Sequence, residues 1–411
     1  MDTTLVKSPI TNNAFIKLWT ASGISNFADG VGLTAAPLLA ASLTRDPVLI
    51  SGLVVAQRLP WFLFVLFSGA MVDRLDRRQV MRISNFCRFL LLGGISLFVL
   101  TGWASLLLLY VIFFLLGTIE TLFDNAALAI LPMITHEKDL EEANGRLFAT
   151  STLANEMVGP PIGSFLFSIF KASPFFLAGL FYAFSSIILG KIPGQYTSRT
   201  LTRHQGLLKE IREGVQWFWH HRLLRTLGFF AASFNFVSAA VMGVFVLFAQ
   251  DMLGISEAAY GLLISMGAIG GIIGSLLTKK LSTRFGQGSI LFADAVLSGL
   301  AFIGMALTTE PFIVGAMFII ISMTNMFGNV IIISLRQSII PDHLLGRVAS
   351  AYRLVVLGAL PLGALVGGLI ARTISLTTPM LIGGGLLIGV AFAMQPIVNN
   401  STIEQAKIIQ P

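Results

Sequence analysis

The sequence predicts an all-α membrane protein, with twelve transmembrane helices in two pseudo-symmetric six-helix bundles. Composition, length and a pattern that recurs between the two halves carry that expectation. Of the 411 residues, 55% are hydrophobic and only 11% are charged, and the mean hydropathy is +0.83. A soluble domain carries about 25% charged residues, so this chain has less than half the usual solvating surface. A soluble enzyme and a disordered chain are both excluded. A spanning helix takes roughly 20 apolar residues, and twelve of them with short turns fill the chain, leaving no room for a sizeable soluble domain. The apolar stretches are long and continuous, unlike the roughly ten-residue alternating segments of a β-barrel.

In order, spans are expected at 14–43, 48–72, 79–100, 104–132, 146–170 and 174–190, then at 224–250, 256–278, 289–308, 311–335, 347–371 and 377–397. The first is too long for a signal-peptide core and has no convincing cleavage site, so its removal is not expected. The connections on one side hold Arg74, Arg77, Arg78, Arg82, Lys191, Arg212, Arg222, Arg225, Lys279, Lys280 and Arg284, whereas the opposite loops hold only Arg45, Lys171 and Arg372. That asymmetry places both termini in the cytoplasm. It also explains the net charge of +7 without a nucleic-acid partner. The one long connection, 191–223, is basic and contains an amphipathic piece, Leu207 to Trp219, whose Trp217 and Trp219 suit a membrane interface. The expected domains are therefore 1–190, the linker 191–223, 224–398 and a tail at 399–411. Cys87 is the only cysteine, which excludes an internal disulfide, and the five histidines fall in or beside polar connections. No metal and no cofactor are expected.

The halves look related. Asn26-Phe27 in span one recurs as Asn235-Phe236 in span seven, and Phe123 and Asn125 recur as Phe327 and Asn329. Gly145-Arg146, followed by Pro160, recurs as Gly346-Arg347, followed by Pro361. Gly69 through Arg74 recurs, worn, as Gly274 through Lys279. All these offsets lie between 201 and 209, which points to a duplicated six-helix unit of the kind secondary transporters use.

Two motifs carry a resemblance. The loop after span two reads Ser68-Gly69-Ala70-Met71-Val72-Asp73-Arg74-Leu75-Asp76-Arg77-Arg78. It resembles motif A of the major facilitator superfamily, which implies a gate latch formed by Gly69, Asp73, Arg74, Arg77 and Arg78. In span five, Gly159-Pro160-Pro161-Ile162-Gly163 resembles the superfamily's antiporter motif C. Physically, Gly159 and Gly163 make a face for close helix packing, and the prolines remove backbone donors. The stretch Arg336 to Ser350, and the run from Arg58-Leu59-Pro60-Trp61 to Arg78, are similar to the bacterial drug:proton antiporter-3 branch, which includes macrolide and siderophore exporters. The resemblance covers essentially the whole chain and implies a bacterial cytoplasmic-membrane location. One departure stands out: span four reads Gly117-Thr118-Ile119-Glu120-Thr121-Leu122-Phe123-Asp124-Asn125, with acids where many drug antiporters carry the arginine of motif B.

Buried charge is the other functional signal. A charge at mid-bilayer costs about 2.5–3.5 kcal/mol on the insertion scale. Asp29 and Arg58 reach similar depths and can pair, for structure or for function. Glu120 and Glu156 fall near the middle of their spans, and Asp124 lies one turn from Glu120 on the same face. The C-terminal half offers only Asp294 at any depth. The first half is therefore expected to handle protons, with Glu120 as the leading carrier, and the second to shape a cargo cavity. By analogy with the superfamily, Asn26, Phe27, Asn125, Phe234, Asn235, Phe236, Met323, Phe327 and Asn329 would line it. The expected function is proton-coupled export of amphiphilic small molecules by a monomer in the lipid bilayer. An uptake permease or a lipid flippase of the same fold remains the alternative. A membrane-embedded enzyme lacks its clustered His, Asp or Ser groups, an ATP-driven pump its phosphate loop, and a channel its polar ring.

Overall fold

The computed structural model describes residues 12–72, 74–197 and 207–408. Every regular element among them is helical, as a chain that must satisfy its own backbone groups in lipid requires. In chain order the helices are α1 (Asn13–Leu43), α2 (Pro47–Val72), α3 (Arg77–Leu100), α4 (Leu106–Ile134), α5 (Leu140–Ser151), α6 (Gly159–Ile169), α7 (Ser173–Gly190), α8 (Leu207–His220), α9 (Arg222–Met242), α10 (Phe245–Leu247), α11 (Glu257–Phe285), α12 (Gln287–Ala306), α13 (Pro311–Ile339), α14 (Asp342–Thr373), α15 (Thr378–Met394) and α16 (Asn400–Ile408). Two π-helical segments, Thr152–Val158 and Phe248–Met252, join α5 to α6 and extend α10.

Nine of the described helices are long and apolar enough to cross a membrane. The remaining expected spans fall short of that measure for visible reasons. α1 has 31 residues, but Lys17, Asn26 and Asp29 dilute its apolar character. Span five is divided by its π-helical segment, and α15 has only 17 residues. In span five, Pro160 and Pro161 supply no amide hydrogens to the carbonyls one turn earlier, so a regular α-ladder cannot run through this point.

The chain forms two compact units. Unit 1 comprises Met1–Ala40, Leu63–Leu201 and Glu257–Leu262; unit 2 comprises Ala41–Phe62, Thr202–Ser256 and Leu263–Pro411. α1 and α2 therefore each contribute to both units. In unit 1, α3 packs along α7 and α4, over a core that includes Phe15, Leu18, Met81, Phe123, Ala126, Ile130 and Leu189. In unit 2, α12 packs along α15 and α13, and α9 along α14. Its core includes Phe218, Leu227, Phe230, Leu291, Phe327, Leu335 and Ala391.

The first half of α2 is anchored in unit 2. Arg45 reaches Asp251 at 3.0 Å and Arg372 reaches Asp46 at 3.5 Å, both on the surface. Between them, Gly368 packs on Ser51 and Gly358 on the Phe62 ring. The linker helix α8 also docks on unit 2. Glu213 holds Arg347 of α14 at 2.5 Å, Gly214 lies against the Arg347 backbone, and Phe218 meets Tyr352 edge to face. α8 buries Phe218, while Trp219 stays half exposed.

Candidate functional site

The centre of unit 1 holds a charged cluster. Arg88 of α3 is only 2% exposed, and its Nη1 lies 3.9 Å from Asp29 Oδ1 on α1. Tyr182 of α7 donates its phenolic hydrogen to the same carboxylate oxygen. The guanidinium lies 4.9 Å from the centre of the Phe123 ring on α4 and 5.2 Å from that of Tyr182, within cation–π range. Glu120 and Asp124 of α4 are close enough to act on it electrostatically. Neither Nη atom of Arg88 makes a hydrogen bond. One turn away, Asn85 donates to Ser25 and Ser185, at 2.7 and 2.8 Å, which fixes α1, α3 and α7 together.

α1 reaches this position through the glycines of span five. A Cβ on Gly159 would stand 2.6 Å from the Cα of Gly30, so the two backbones touch one residue from Asp29. Thr34 donates to the Pro160 carbonyl at 2.9 Å along the same contact. Such backbone approach is what small residues permit in membrane helices. Pro161 sits one residue on, and its carbonyl accepts from Ser164 at 3.1 Å. Gly163 packs on the Val31 carbonyl.

The loop after α2 is tied to the ends of its neighbours. Asp76 caps α3, accepting from the Arg78 and Gln79 amides at 3.0 and 3.4 Å. Arg78 donates to the Ile192 carbonyl just past α7, at 2.6 Å, where a cation complements exposed helix carbonyls. Arg77 is buried and reaches the Met133 sulfur on α4. Arg74 is exposed, and Gly69 has open space where a Cβ would be. Asp73 lies outside the described residues.

The other residues singled out by sequence divide in several directions. Arg58 lies half-buried in the part of α2 that belongs to unit 2, so the cation beside Asp29 is Arg88. Glu120 and Asp124 are half-buried, and Glu156 is exposed on the π-helical segment. Several asparagines bridge helices: Asn26 accepts from Ser151, Asn125 donates to Ser68, and Asn235 donates to the Val356 carbonyl. Phe27 packs on Phe181, Phe234 is buried, and Asn329 is exposed. Phe236 lines an apolar cavity of about 750 Å³ in unit 2, with Phe62, Phe229, Leu354, Gly358 and Leu362. Met323 and Phe327 line a second cavity, of about 420 Å³.

Arg88, Tyr182 and Asn85 were not found by sequence reasoning. The signal for Arg88 was present: eleven residues past Arg77, it lies about 17 Å along the helix, well inside an apolar span. It was obscured because the α3 arginines nearest the loop obey the inside rule. Tyr182 and Asn85 carry no such signal, because only the packing of α3 on α7 gives them their partners.

The profile of the transmembrane secretion effector family matches residues 4–408. Macrolide efflux protein A of Streptococcus pyogenes is 22% identical over 396 residues, covering 94% of this chain and 96% of its own length. Multidrug efflux pump Tap of Mycolicibacterium fortuitum is 24% identical over 384 residues, covering 87% and 90%. Among solved structures, that of the nucleoside transporter NupG superposes with a TM-score of 0.76 at 13% identity, covering 94% of this chain and 99% of its own. A bacterial homologue of the iron transporter ferroportin gives 0.71 at 17% identity, covering 93% and 98%.

Proposed function

The chain belongs to the transmembrane secretion effector family of major facilitator transporters, and from that premise we propose that it exports amphiphilic small molecules in exchange for protons. In this reading twelve spans form two bundles that alternate access across the bacterial cytoplasmic membrane, with both termini in the cytoplasm. The direction is supported by efflux-named relatives that align over nearly the whole chain. The observation that carries proton coupling is the cluster of Asp29, Arg88 and Tyr182, with Glu120 and Asp124 in electrostatic reach. Desolvation favours the neutral form of a carboxyl, and a nearby cation favours the charged form. A carboxylate–guanidinium cluster inside a membrane domain can therefore pass between two charge states. Arg88 supplies from α3 the buried cation that span four lacks. The apolar cavity of about 750 Å³ has the size of small-molecule sites and suits a cargo with a large apolar body.

The test uses inverted vesicles energised to an acidic interior, with a fluorescent reporter of the pH gradient and a panel of lipophilic cations, macrolides and catecholate siderophores. At least one compound should collapse the gradient with the native chain, and the Glu120→Gln chain should abolish that response while still folding. Full coupled transport by Glu120→Gln would remove Glu120 from the proton path. A panel on which nothing responds would shift the reading to uptake or lipid movement.

A further inference from the structure

One face of α9 changes character along its length. Arg222, Arg225, Phe229, Ser233 and Phe236 follow one another at spacings of three and four residues, so all five lie along a single stripe of the helix. The first turn of that stripe is basic. Its middle, through Phe229, Ser233 and Phe236, forms one wall of the cavity of about 750 Å³. Contacts join the two parts. The Phe229 ring meets Trp219 edge to face at 5.7 Å. The Arg225 guanidinium lies 6.0 Å from the centre of a Trp219 ring and donates to the Trp219 carbonyl at 3.1 Å. None of the ion pairs among the described residues uses Arg222 or Arg225. An arginine cannot shed its proton in a protein, so both charges stay available to an anion from outside the chain.

The cavity is an open slot. On α14 its lining runs from Leu354 to Leu365, about 16 Å along the helix, and apart from Ser233 every side chain in it is apolar. It is open along one side, where Phe62, Phe229, Leu362, Leu365 and Leu386 are each 40–60% exposed. On helices that span a membrane, such an apolar opening marks contact with lipid. The length of the slot is close to half of the roughly 30 Å hydrocarbon core, the depth that the tails of one leaflet occupy. Trp219, at the junction of slot and cations, is the residue type that sits at headgroup level. We infer that α2, α9 and α14 hold one anionic phospholipid, with its phosphate on Arg222 and Arg225 and one tail in the slot. A guanidinium fork matches phosphate oxygens, whereas a zwitterionic headgroup would bring its own cation to the same two arginines. The lipid is a resident of the cavity, and the apolar body of a cargo would enter by displacing the tail.

The experiment is native mass spectrometry of the purified, delipidated full chain in detergent. It resolves each bound lipid and uses no gradient, so its outcome is independent of transport. The probes are dioleoyl phosphatidylglycerol, dioleoyl phosphatidylcholine and inorganic phosphate. Basic residues at a membrane surface attract anionic lipid, and the first phosphatidylglycerol should bind the native chain about ten-fold more tightly than the first phosphatidylcholine. The double variant Arg222→Gln/Arg225→Gln should lose that preference and keep its affinity for phosphatidylcholine. Lys279→Gln/Lys280→Gln, which removes two exposed charges elsewhere in unit 2, should retain the preference. Ser233→Trp, which fills the slot and leaves both arginines in place, should weaken the first binding of both lipids. A native chain without the preference, a double-arginine variant that keeps it, a lysine variant that loses it, or a Ser233→Trp chain that binds both lipids normally would each overturn the site. Displacement of phosphatidylglycerol by inorganic phosphate at equal concentration would mark a site for free anions and overturn the lipid. If the double-arginine variant fails to fold, Arg222→Gln alone, at an exposed position, should lower the preference about three-fold, and an unchanged preference there would overturn the site.

Discussion

Arg88 is the residue on which the centre of unit 1 turns. It is buried among groups that tolerate a cation only in one orientation: a carboxylate at 3.9 Å on one side and two aromatic faces on the others. A guanidinium is planar and stacks, whereas an ammonium is a compact, strongly hydrated point charge. Arg88→Met is expected to lower stability by roughly 3 kcal/mol, because removing one partner strands the charge of the other. Arg88→Lys should fall between the two, keeping the charge and losing the stacking. Thermal unfolding in detergent checks the order, and a lysine variant as stable as the native chain would count against the stacking contribution. At this scale the sequence was partly legible. Depth arithmetic picks out Asp29 and Glu120, since a charge inside an apolar run stands out by itself. It does not pair Asp29 with Arg88 or add Tyr182, because those choices are made by how α1, α3 and α7 turn against one another.

Elements are governed by their ends and their interruptions. The run Gly159-Pro160-Pro161-Ile162-Gly163 was legible as a packing face and a source of broken backbone bonds. The π-helical turn before it was not, since it depends on where α1 presses against span five. The amphipathic piece before span seven was legible as a helix. Its resting place on α14 was not, because Gly214 and Glu213 give no sign of a partner until Arg347 is beside them. The junction of α8 and α9 adds a pH dependence. His221 caps α9, its Nδ1 accepting from the Leu224 amide at 3.3 Å, and burial pushes its imidazole below the ordinary value. The folded chain therefore binds this proton less readily than the unfolded one. The cap contributes in full above about pH 6.5, the ordinary histidine value, and is lost as the pH falls through the lowered folded value. Amide exchange in the first turn of α9, corrected for intrinsic rates, should be faster at pH 5 than at pH 7.5. His221→Asn, which can cap without titrating, should remove the difference.

Across the whole molecule, composition and the long apolar runs made the helical membrane fold legible, because few residues could face water. The compact units themselves were not legible. The expected boundary followed the long linker, whereas the first half of α2 belongs with unit 2, through Gly368 and Gly358 of α14 and two surface ion pairs, Arg45–Asp251 and Arg372–Asp46. The basic asymmetry of the connections leads to a prediction about sidedness. In a Cys87→Ser background, a thiol introduced by Gln405→Cys should react with a membrane-impermeant maleimide in inverted vesicles only, and one introduced by Trp103→Cys in intact cells only. The reverse pattern would invert the proposed topology. The glycine contact between α12 and α15 limits what that crossing can accept. Any side chain at Gly299 or Gly384 collides with the facing helix, so these positions have little freedom to change. Arg88 and Asp294, five places before Gly93 and Gly299, are buried as tightly, yet they carry opposite charges. Shape therefore fixes the crossing, and charge is what sets the two units apart.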